Sequence, residues 1–452
     1  MNGRPPRNRS KHAVNNRRSP LPPPSPRTRY AAGKRLRERL PRDAHAAWSV
    51  KKSDERNRLA PLSAVERGRL VALLPEKHKR MRQSAFAFFR GSAAVMAADL
   101  AIQRRTNLIV QMCGDAHVRN LGAYEALDGA LVFDLNDFDE TLRGPWEWDV
   151  KRLATSLILA GEESGQSAST CEKSVRRFVQ AYRTYLMAFA TMRFATLGRY
   201  LITRRRDDPL LEAIFREAQR VTPNRNLLKL TIRRGAHFRF RDQKPLTRVS
   251  SRAAAEVVTA LRAYAGTLVA SRARTLARYH PIDVAFKTVG TGSVGTRDYV
   301  VLLFGNGDQD PLFLQVKQEL ASCYAPYIKM AASIQHEGQR VAEGQQLMQT
   351  LSDPFIGYTR FGGHDYLVRQ LADHKAAIDP AALTRLTLSA YARLCGEALA
   401  KGHARTGDAA TLAGYVGKSS VFDEAIAEFA TAYAEQVRSD YRLFKRSDLH
   451  NL

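Results

Sequence analysis

Two short apolar segments, each followed directly by polar residues, constrain the fold of this chain more than any other feature. Residues 108–112 are apolar and β-capable, and they lead into Gly-Asp-Ala-His-Val-Arg-Asn at 114–120. A second apolar segment, 130–133, leads into Asp-Leu-Asn-Asp-Phe-Asp-Glu at 134–140. Functional groups are often found at strand ends, because the sheet fixes the backbone while the loop exposes the side chains. The sequence therefore predicts a site built on the ends of two strands.

The residue types in these loops are typical of a metal-nucleotide phosphotransfer site. We expect Asp115 to orient or deprotonate an acceptor hydroxyl. Asn120 would give Mg²⁺ a neutral oxygen, and Asp137 would give it a charged oxygen that bridges the nucleotide phosphates. Asp134 and Asp139 are the alternatives to Asp137 as principal metal ligand, because all three acids follow the same apolar segment.

Two of these residues also have structural interpretations. Asp115 is alternatively a turn acid that caps the loop after a strand, a common role for Asp in Asp-His-Asn clusters. His117 is expected to brace the loop by hydrogen bonding rather than to act as a general base. No Ser-His-Asp set and no HExxH sequence competes for the chemistry.

Composition is that of an enzyme in a reducing compartment. The chain has 452 residues and 44% hydrophobic content, enough for two or three domains with their own cores. Its four Cys are widely spaced and form no CxxC pair, which argues against a disulfide framework or a zinc site and predicts a cytoplasmic protein. No run of eighteen or more apolar residues occurs, so no membrane contact is expected.

The N-terminal segment is strongly basic. Residues 1–42 contain thirteen Lys or Arg and one acid, Glu38, so less than a tenth of the chain carries a large share of the net charge of +27. The segment includes Leu-Pro-Pro-Pro-Ser-Pro at 21–26, has almost no apolar periodicity, and lacks the apolar core of a secretory signal. We expect residues 1–60 to form a disordered basic arm. The arm is a solvated tail or, alternatively, makes weak contact with nucleic acid or an acidic surface.

A glycine-rich hairpin occurs late in the chain. The β-capable segment 285–289 leads into Gly-Thr-Gly-Ser-Val-Gly at 290–295, and strands are predicted at 299–304 and 312–317. Glycines let backbone N–H groups approach phosphates closely, and a lysine at the end of the third strand would neutralise phosphate charge. The predicted nucleotide-binding residues are Gly290, Gly292, Ser293, Gly295 and Lys317.

The elements around the hairpin distinguish two folds. A glycine loop that enters a helix would indicate a dinucleotide fold, whereas strands on both sides favour a phosphate-covering hairpin. A helix at about 333–351 follows, and Glu343 on it is expected to pair with Lys317, with Glu337 and Glu319 as alternatives. Further strands at 355–358 and 366–369 would complete this region.

The rest of the ordered chain is predicted to be mostly helical. Helices are expected from residue 62 to about 96 with a break at Pro75, over 148–160, through the Arg-rich region 169–278, and from 382 to about 442. Asp149 is well placed as a helix-capping or loop-bracing acid. Arg90 could touch a phosphate, although a structural contact is the preferred interpretation.

Three of these segments together resemble the kinase-like superfamily, in particular its aminoglycoside and choline phosphotransferase branch. Residues 114–120 resemble its catalytic loop, with Cys113 where a histidine often stands; 136–140 with Asp149 resemble its metal-binding segment, and 290–317 its glycine loop and third-strand lysine. From about residue 60 the chain is also similar to the bacterial family called domain of unknown function 2252, whose members carry GDxHxxN, NDFDE and GxGSVG segments. The resemblance implies an α+β, protein-kinase-like two-lobe fold that binds ATP and Mg²⁺.

The segments stand in a different order from that of ordinary kinases, where the glycine loop precedes the catalytic loop. Here Gly290 follows Asp115 in the chain, so we expect a circularly permuted arrangement. A largely helical large lobe would cover 61–280, an antiparallel-sheet small lobe would cover 281–372, and C-terminal helices at 373–452 would complete the large lobe.

The leading hypothesis is an ATP- and Mg²⁺-dependent phosphotransferase that acts on a hydroxyl of a small molecule. Adenylyl transfer, with the nucleotide bound in a flipped pose, is a second enzyme class. A non-catalytic, nucleotide-binding or RNA-associated pseudokinase is the third hypothesis. The acceptor would be selected by the Arg-rich helices of 169–278, whose charge indicates an anionic acceptor only weakly.

Overall fold

The chain folds into helices and antiparallel sheets. A computed structural model describes residues 23–48, 58–126, 129–205, 207–220, 222–235, 237–288, 290, 292–371, 376–379 and 383–447. The α-helices of this part are α1 (Pro26–Arg39), α2 (Ala60–Glu66), α3 (Leu74–Met81), α4 (Ala85–Gly91), α5 (Ala93–Ala101), α6 (Trp146–Glu163), α7 (Ala168–Thr191), α8 (Phe194–Leu197), α9 (Pro209–Gln219), α10 (Pro223–Leu230), α11 (Ser251–Ala265), α12 (Ala270–Leu276), α13 (Glu337–Met348), α14 (Arg385–Thr406), α15 (Ala409–Val416) and α16 (Val421–Arg446).

The strands form four sheets within the described residues. They are β1 (Ile109–Met112), β2 (Leu121–Glu125), β3 (Leu131–Leu135), β4 (Leu142–Pro145), β5 (Thr231–Arg234), β6 (His237–Phe240), β7 (Leu246–Arg248), β8 (His280–Lys287), β9 (Asp298–Phe304), β10 (Pro311–Gln318), β11 (Gly357–Phe361), β12 (His364–Gln370) and β13 (Ala376–Ala377). The largest sheet has the order β11-β12-β10-β9-β8-β7; the smaller ones are β13-β2-β3, β1-β4 and β5-β6. The class is therefore α+β with antiparallel sheets, as the sequence predicts.

One face of the six-stranded sheet is apolar, whereas the other face is apolar at one end and polar at the other end. Leu314 and Val316 of β10 point to one face and pack with α11. Phe313 points to the opposite face and packs with residues of α10 and β6. Because side chains alternate along a strand, Gln315 and Lys317 share the face of Phe313. The register places these polar residues at one end of that face: Lys287, Asp298, Gln315, Lys317 and Arg369.

Most of the helices, but not α10, α11 and α12, share one large hydrophobic core with strands β1 to β4. Helix α6 is at its centre: every residue from Trp146 to Gly161 is buried, and the helix packs against α7 and α16. Asp149 and Arg152 are among these buried residues. Buried charges need partners, and both side chains find theirs at the end of β1.

The predicted strands at 108–112 and 130–133 correspond to β1 and β3, and the later hairpin to β8, β9 and β10. The Arg-rich region is helical as expected, except for the β5–β6 hairpin and β7. The six-stranded sheet begins with β7, ahead of the predicted start at residue 281. None of the helices in the described part of the chain is long and apolar enough to cross a membrane.

The prediction of a disordered arm over residues 1–60 is wrong for its central part, where α1 packs on α15. The arginines of this segment bind the carboxyl end of α15: Arg37 Nε donates to Tyr415 O at 2.9 Å, and Arg42 Nη1 donates to Val416 O at 2.8 Å. The last carbonyls of a helix lack intrahelical donors and attract cations, so these basic residues order the segment. Residues 1–22 and 49–57 of the arm lie outside the described residues.

Candidate active site

A cavity of about 530 Å³ lies between the polar end of the sheet face and the ends of β1 and β3. Its walls come from parts of the chain that are distant in sequence. Seven of the predicted site residues line it: Asp115, Asn120, Asp137, Gly290, Gly292, Ser293 and Lys317.

The loop after β1 is held by Asp149 of helix α6. The Asp149 carboxylate accepts hydrogen bonds from Cys113 N at 2.6 Å and from Gly114 N at 2.9 Å. Gly114 has φ +87°, and a Cβ there would lie 2.1 Å from Glu140 O, so this turn requires glycine. Asp149 therefore braces the loop, one of the two roles expected from the sequence, and fixes the backbone that carries Asp115.

Asp115 is paired with a buried arginine that the sequence analysis missed. Arg152 contacts Asp115 Oδ1 through Nε at 2.6 Å and Nη2 at 2.5 Å. Burial raises the pKa of Asp115, and the Arg152 guanidinium opposes that rise. Both contacts are to Oδ1; Oδ2 lies 3.6 Å from His117 Nε2, beyond hydrogen-bond distance, so it can still accept from a ligand. Arg152 follows Asp149 by one helical turn, and that spacing is the signal that could have found it.

Asn120 and His117 complete this loop. Asn120 Nδ2 donates to Asp115 O at 2.9 Å, which leaves Oδ1 of the amide as the acceptor for a cation. His117 Nδ1 accepts from Arg119 N at 3.2 Å. Burial and the Arg90 and Arg152 guanidinium groups hold the pKa of His117 well below its ordinary value. His117 is therefore neutral and braces the loop.

The three acids Asp134, Asp137 and Asp139, in and after β3, have different environments. Asp134 forms a buried ion pair with Lys401 of α14, whereas Asp137 and Asp139 line the cavity. Burial and the neighbouring Asp139 raise the pKa of Asp137 to about 6. Burial would raise the pKa of Asp139 as well, but the Lys317 ammonium outweighs it and lowers that pKa. A cation bound beside Asp137 would therefore stabilise the ionised form of its carboxyl group.

Lys317 extends from β10 and forms an ion pair with Asp139; Glu319 Oε1 lies 4.0 Å from its Nζ. The expected pairing with Glu343 is not present. Glu343 is exposed on α13 and accepts a hydrogen bond from Gln339 Nε2 at 2.7 Å. The physical reason is the rotation of α13, which turns Glu343 to solvent.

Helix α13 reaches the site through a cation. The buried Arg340 donates to Thr141 O at 2.6 Å, Asp139 O at 2.9 Å and Leu320 O at 2.9 Å. It therefore joins the end of β10 to the loop after β3. The sequence predicts that an acid on this helix pairs with Lys317. Because Asp139 already pairs with Lys317, the residue that this helix contributes to the site is Arg340 instead.

The glycine loop covers the cavity. Ser293 Oγ donates to Asp139 Oδ2 at 2.9 Å, on the same carboxylate that binds Lys317. Gly295 does not line the cavity; its carbonyl accepts from Leu70 N at 2.7 Å, and with φ +98° it lies against Arg69. These contacts fix the end of the glycine loop at Gly295.

Some oxygen atoms at this cavity are of the type that Mg²⁺ prefers as ligands. Within the described ranges, no group of three or more His, Cys, Asp or Glu side chains is placed to hold a metal ion. Asp137 and Asn120 nevertheless face one cavity, and the neighbouring Asp139 Oδ1 is buried with no hydrogen-bond partner. Mg²⁺ is commonly bound by one or two protein side chains together with substrate phosphates and water. These residues would hold it in that way.

Comparisons with known proteins place the chain in a family. Searches against curated proteins and against solved structures give no significant match. A family model described as "Uncharacterized protein conserved in bacteria (DUF2252)" matches residues 69–447. This match includes β1 to β13, the cavity and the helices that surround it. The chain belongs to this bacterial family of uncharacterized proteins.

Proposed function

We propose that the protein is an ATP- and Mg²⁺-dependent phosphotransferase with a circularly permuted, kinase-like two-lobe fold. One observation carries the proposal. Lys317 and Ser293, from the sheet and its glycine loop, meet Asp139 at a cavity that also contains Asp115, Asn120 and Asp137. The residues that would bind phosphate and those that would bind the metal thus line one cavity.

The order of elements in the sheet supports the kinase-like interpretation. β8, the glycine loop, β9, β10 with its lysine, α13, β11 and β12 follow in the order that the resemblance implies for a small lobe. They come after the Asp115 loop in the chain. The end of α14 lies beside β1, where Thr406 Oγ1 accepts from Gln111 N at 3.1 Å. A helix late in the chain therefore reaches the start of the Asp115 loop, as permutation requires.

The cations of the sheet would bind the triphosphate. Lys287, Lys317 and Arg369 share the polar end of the sheet face and line the cavity. The glycine loop would place its N–H groups over the phosphates. Asn120 and Asp137 would hold Mg²⁺, which supplies charge neutralisation at the β- and γ-phosphates.

Asp115 would position the acceptor. Its Oδ2 accepts a hydrogen bond from the hydroxyl, while Arg152 holds Oδ1. The hydroxyl oxygen forms a bond to the γ-phosphorus, and the bond from that phosphorus to the β–γ bridging oxygen breaks. ADP leaves, and the hydroxyl proton passes to Asp115. Positioning and charge neutralisation supply most of the rate enhancement in such transfers.

Calorimetric titration of the full chain with ATP and Mg²⁺ tests the proposal. The wild type should bind ATP only with Mg²⁺, and Lys317→Met and Asp137→Asn should each weaken binding by about tenfold or more. Lys173→Met removes an exposed lysine of α7 and should change nothing. A wild type that does not bind ATP with Mg²⁺ refutes the proposal.

The reaction class is decided by the nucleotide product. Phosphoryl transfer leaves ADP, whereas adenylyl transfer leaves pyrophosphate and an adenylylated product. Mass spectrometry after prolonged incubation with ATP and Mg²⁺ separates the two. Release of pyrophosphate would replace the proposed reaction with the adenylyl alternative.

A further inference from the structure

Arg90 is a cavity residue with no role in the proposed phosphoryl transfer. It lies in the last turn of α4 and lines the cavity next to Asp115. Its Nε is buried and has no hydrogen-bond partner. Among the described residues, no carboxylate forms an ion pair with it. A guanidinium in such a position has donors ready for an anion from outside the chain.

Charged groups of both signs surround Arg90. Burial lowers the pKa of Arg90, and the exposed Arg119 lowers it further, whereas Asp115 and Asp137 raise it. The Asp115 carboxylate is already bound by Arg152, so it does not neutralise Arg90. The exposed Glu163 also raises the pKa of Arg90, but by less than Asp115 and Asp137 do.

Arg90 belongs to the half of the cavity that carries Asp115, although a Cβ on Gly292 of the glycine loop would lie 3.6 Å from Arg90 O. The cations assigned to the nucleotide, Lys287, Lys317 and Arg369, come from the sheet, whereas Arg90 comes from the helical half that carries Asp115. The guanidinium is also restrained, because it lies 6.0 Å from the centre of the Phe86 ring. An acceptor whose hydroxyl reaches Asp115 would place its neighbouring groups near Arg90.

From this geometry we infer that Arg90 forms an anion-binding subsite that selects acceptors carrying a phosphate or carboxylate group near the reactive hydroxyl. The assignment of this subsite to an acceptor rests on the proposed phosphotransferase function. Planar guanidinium groups bind both anions through paired hydrogen bonds, so the subsite recognises their shared chemistry. It also narrows the substrate class, which the Arg-rich helices alone indicate only weakly.

Binding of inorganic phosphate to the full chain tests the subsite. A non-hydrolysable ATP analogue with Mg²⁺ first saturates the nucleotide site, and phosphate is then titrated by calorimetry at constant ionic strength. The wild type should bind phosphate saturably, and Arg90→Gln should weaken that binding about tenfold or more. Arg262→Gln removes an exposed arginine of α11 and should bind like the wild type.

A second variant distinguishes the effect of the paired guanidinium donors from the effect of the positive charge. Arg90→Lys keeps the charge but not the paired donors, so phosphate affinity should lie between those of the wild type and Arg90→Gln. Circular dichroism establishes that each variant is folded. A wild type that does not bind phosphate, or an Arg90→Gln variant that binds it like the wild type, overturns the inference.

The same titrations distinguish failure of this inference from failure of the proposed function. The analogue titration by itself tests nucleotide binding. If the analogue binds and phosphate does not, the subsite is refuted and the phosphotransferase proposal stands. If Arg90→Gln weakens the analogue rather than phosphate, Arg90 belongs to the donor site and the inference fails. If the analogue does not bind, phosphate is titrated into nucleotide-free protein, and binding that depends on Arg90 but persists in Lys317→Met supports the anion site.

Transfer to matched acceptors provides the functional readout. Glycerol and glycerol 3-phosphate differ only in the anionic group, as do glucose and glucose 6-phosphate. The wild type should prefer the charged member of a pair, and Arg90→Gln should reduce that preference in kcat/KM. Equal transfer by the wild type to both members of each pair contradicts the inference.

Discussion

The Lys317 ammonium and the Asp139 carboxylate form an ion pair although 178 residues separate them in the chain. Ser293 Oγ donates to the same carboxylate oxygen, so the sheet, its glycine loop and the end of β3 meet at one side chain. The other oxygen, Oδ1, is buried and has no hydrogen-bond partner. Asp139 therefore balances the charge of Lys317 in the absence of a nucleotide.

This ion pair predicts non-additive effects on stability. Lys317→Met leaves a buried carboxylate without its cation, and Asp139→Asn leaves the ammonium without its anion. Each single change should lower the free energy of unfolding by about 2 kcal/mol, because an uncompensated charge remains in the cavity. The double variant should lose less than the sum, with a coupling of about 1–2 kcal/mol. Urea unfolding of the four proteins measures this, and strictly additive losses would contradict the pairing.

Asp137 predicts a pH-dependent difference in stability. Burial and Asp139 raise its pKa to about 6, against the attraction of Lys317 and Arg369. The folded state therefore binds the Asp137 proton more tightly than the unfolded state, and this contribution to stability is lost as pH rises from about 4 to 6. Asp137→Asn lacks that loss. Its free energy of unfolding relative to the wild type should rise across this window and level off about 3 kcal/mol higher.

Urea unfolding at several pH values without divalent cations measures the effect of Asp137→Asn. Asp207→Asn alters an exposed acid and serves as the matched control, with no pH-dependent difference expected. A stability difference for Asp137→Asn that is constant from pH 4 to pH 7 would show that burial and Asp139 do not raise the pKa of Asp137.

Local patterns in the sequence were sufficient to predict strands and the residues at their ends. Apolar segments of four to six residues predicted β1, β3, β9 and β10, because a strand buried on one or both faces requires such segments. Since a strand end fixes the loop that follows, Asp115, Asp137 and Lys317 could be named as neighbours of one cavity.

Partners across the fold could not be predicted in the same way. The sequence predicts an acid on α13, Glu343, as the partner of Lys317. The rotation of that helix places Arg340 toward the site instead. The helix α1 was missed for a similar reason. Its arginines are ordered by carbonyl groups at the end of α15, and a composition rule for disorder contains no information on such acceptors.

Gly114 predicts a cost that depends on a close contact. A Cβ at this position would lie 2.1 Å from Glu140 O, whereas one at Gly165 would have nothing within 4 Å. Both residues have positive φ, +87° and +76°. Gly165→Ala should therefore cost about 1 kcal/mol through backbone strain alone. Gly114→Ala should cost about 2 kcal/mol more, because the loop must also shift.

Thermal and urea unfolding of the two alanine variants measures this difference. Since the shift would displace Asp115, Gly114→Ala should also weaken the binding of any ligand that contacts that carboxylate. Equal destabilisation by the two substitutions would mean that the Glu140 carbonyl does not constrain the loop.

Arg152 predicts the ionisation of Asp115. The guanidinium opposes the effect of burial on the Asp115 carboxyl, so its removal should raise the pKa of Asp115 further. With Arg152→Gln, the ionised form needed to accept the hydroxyl proton would appear only at higher pH. The acidic limb of the pH profile for kcat/KM of ATP turnover should therefore move to higher pH, while Arg152→Lys, which retains a cation, should move it less.

The carboxyl carbon of Asp115 provides a readout that does not depend on turnover. In protein labelled with ¹³C-aspartate, the signal lost in Asp115→Asn identifies the residue, and its titration gives the pKa directly. Because Arg152 also donates to Phe89 O at 3.0 Å, a purely structural role would lower stability without moving that titration. An unchanged Asp115 titration in Arg152→Gln would therefore assign Arg152 to the core, whereas a rise would establish that it positions and tunes the acceptor-binding carboxylate.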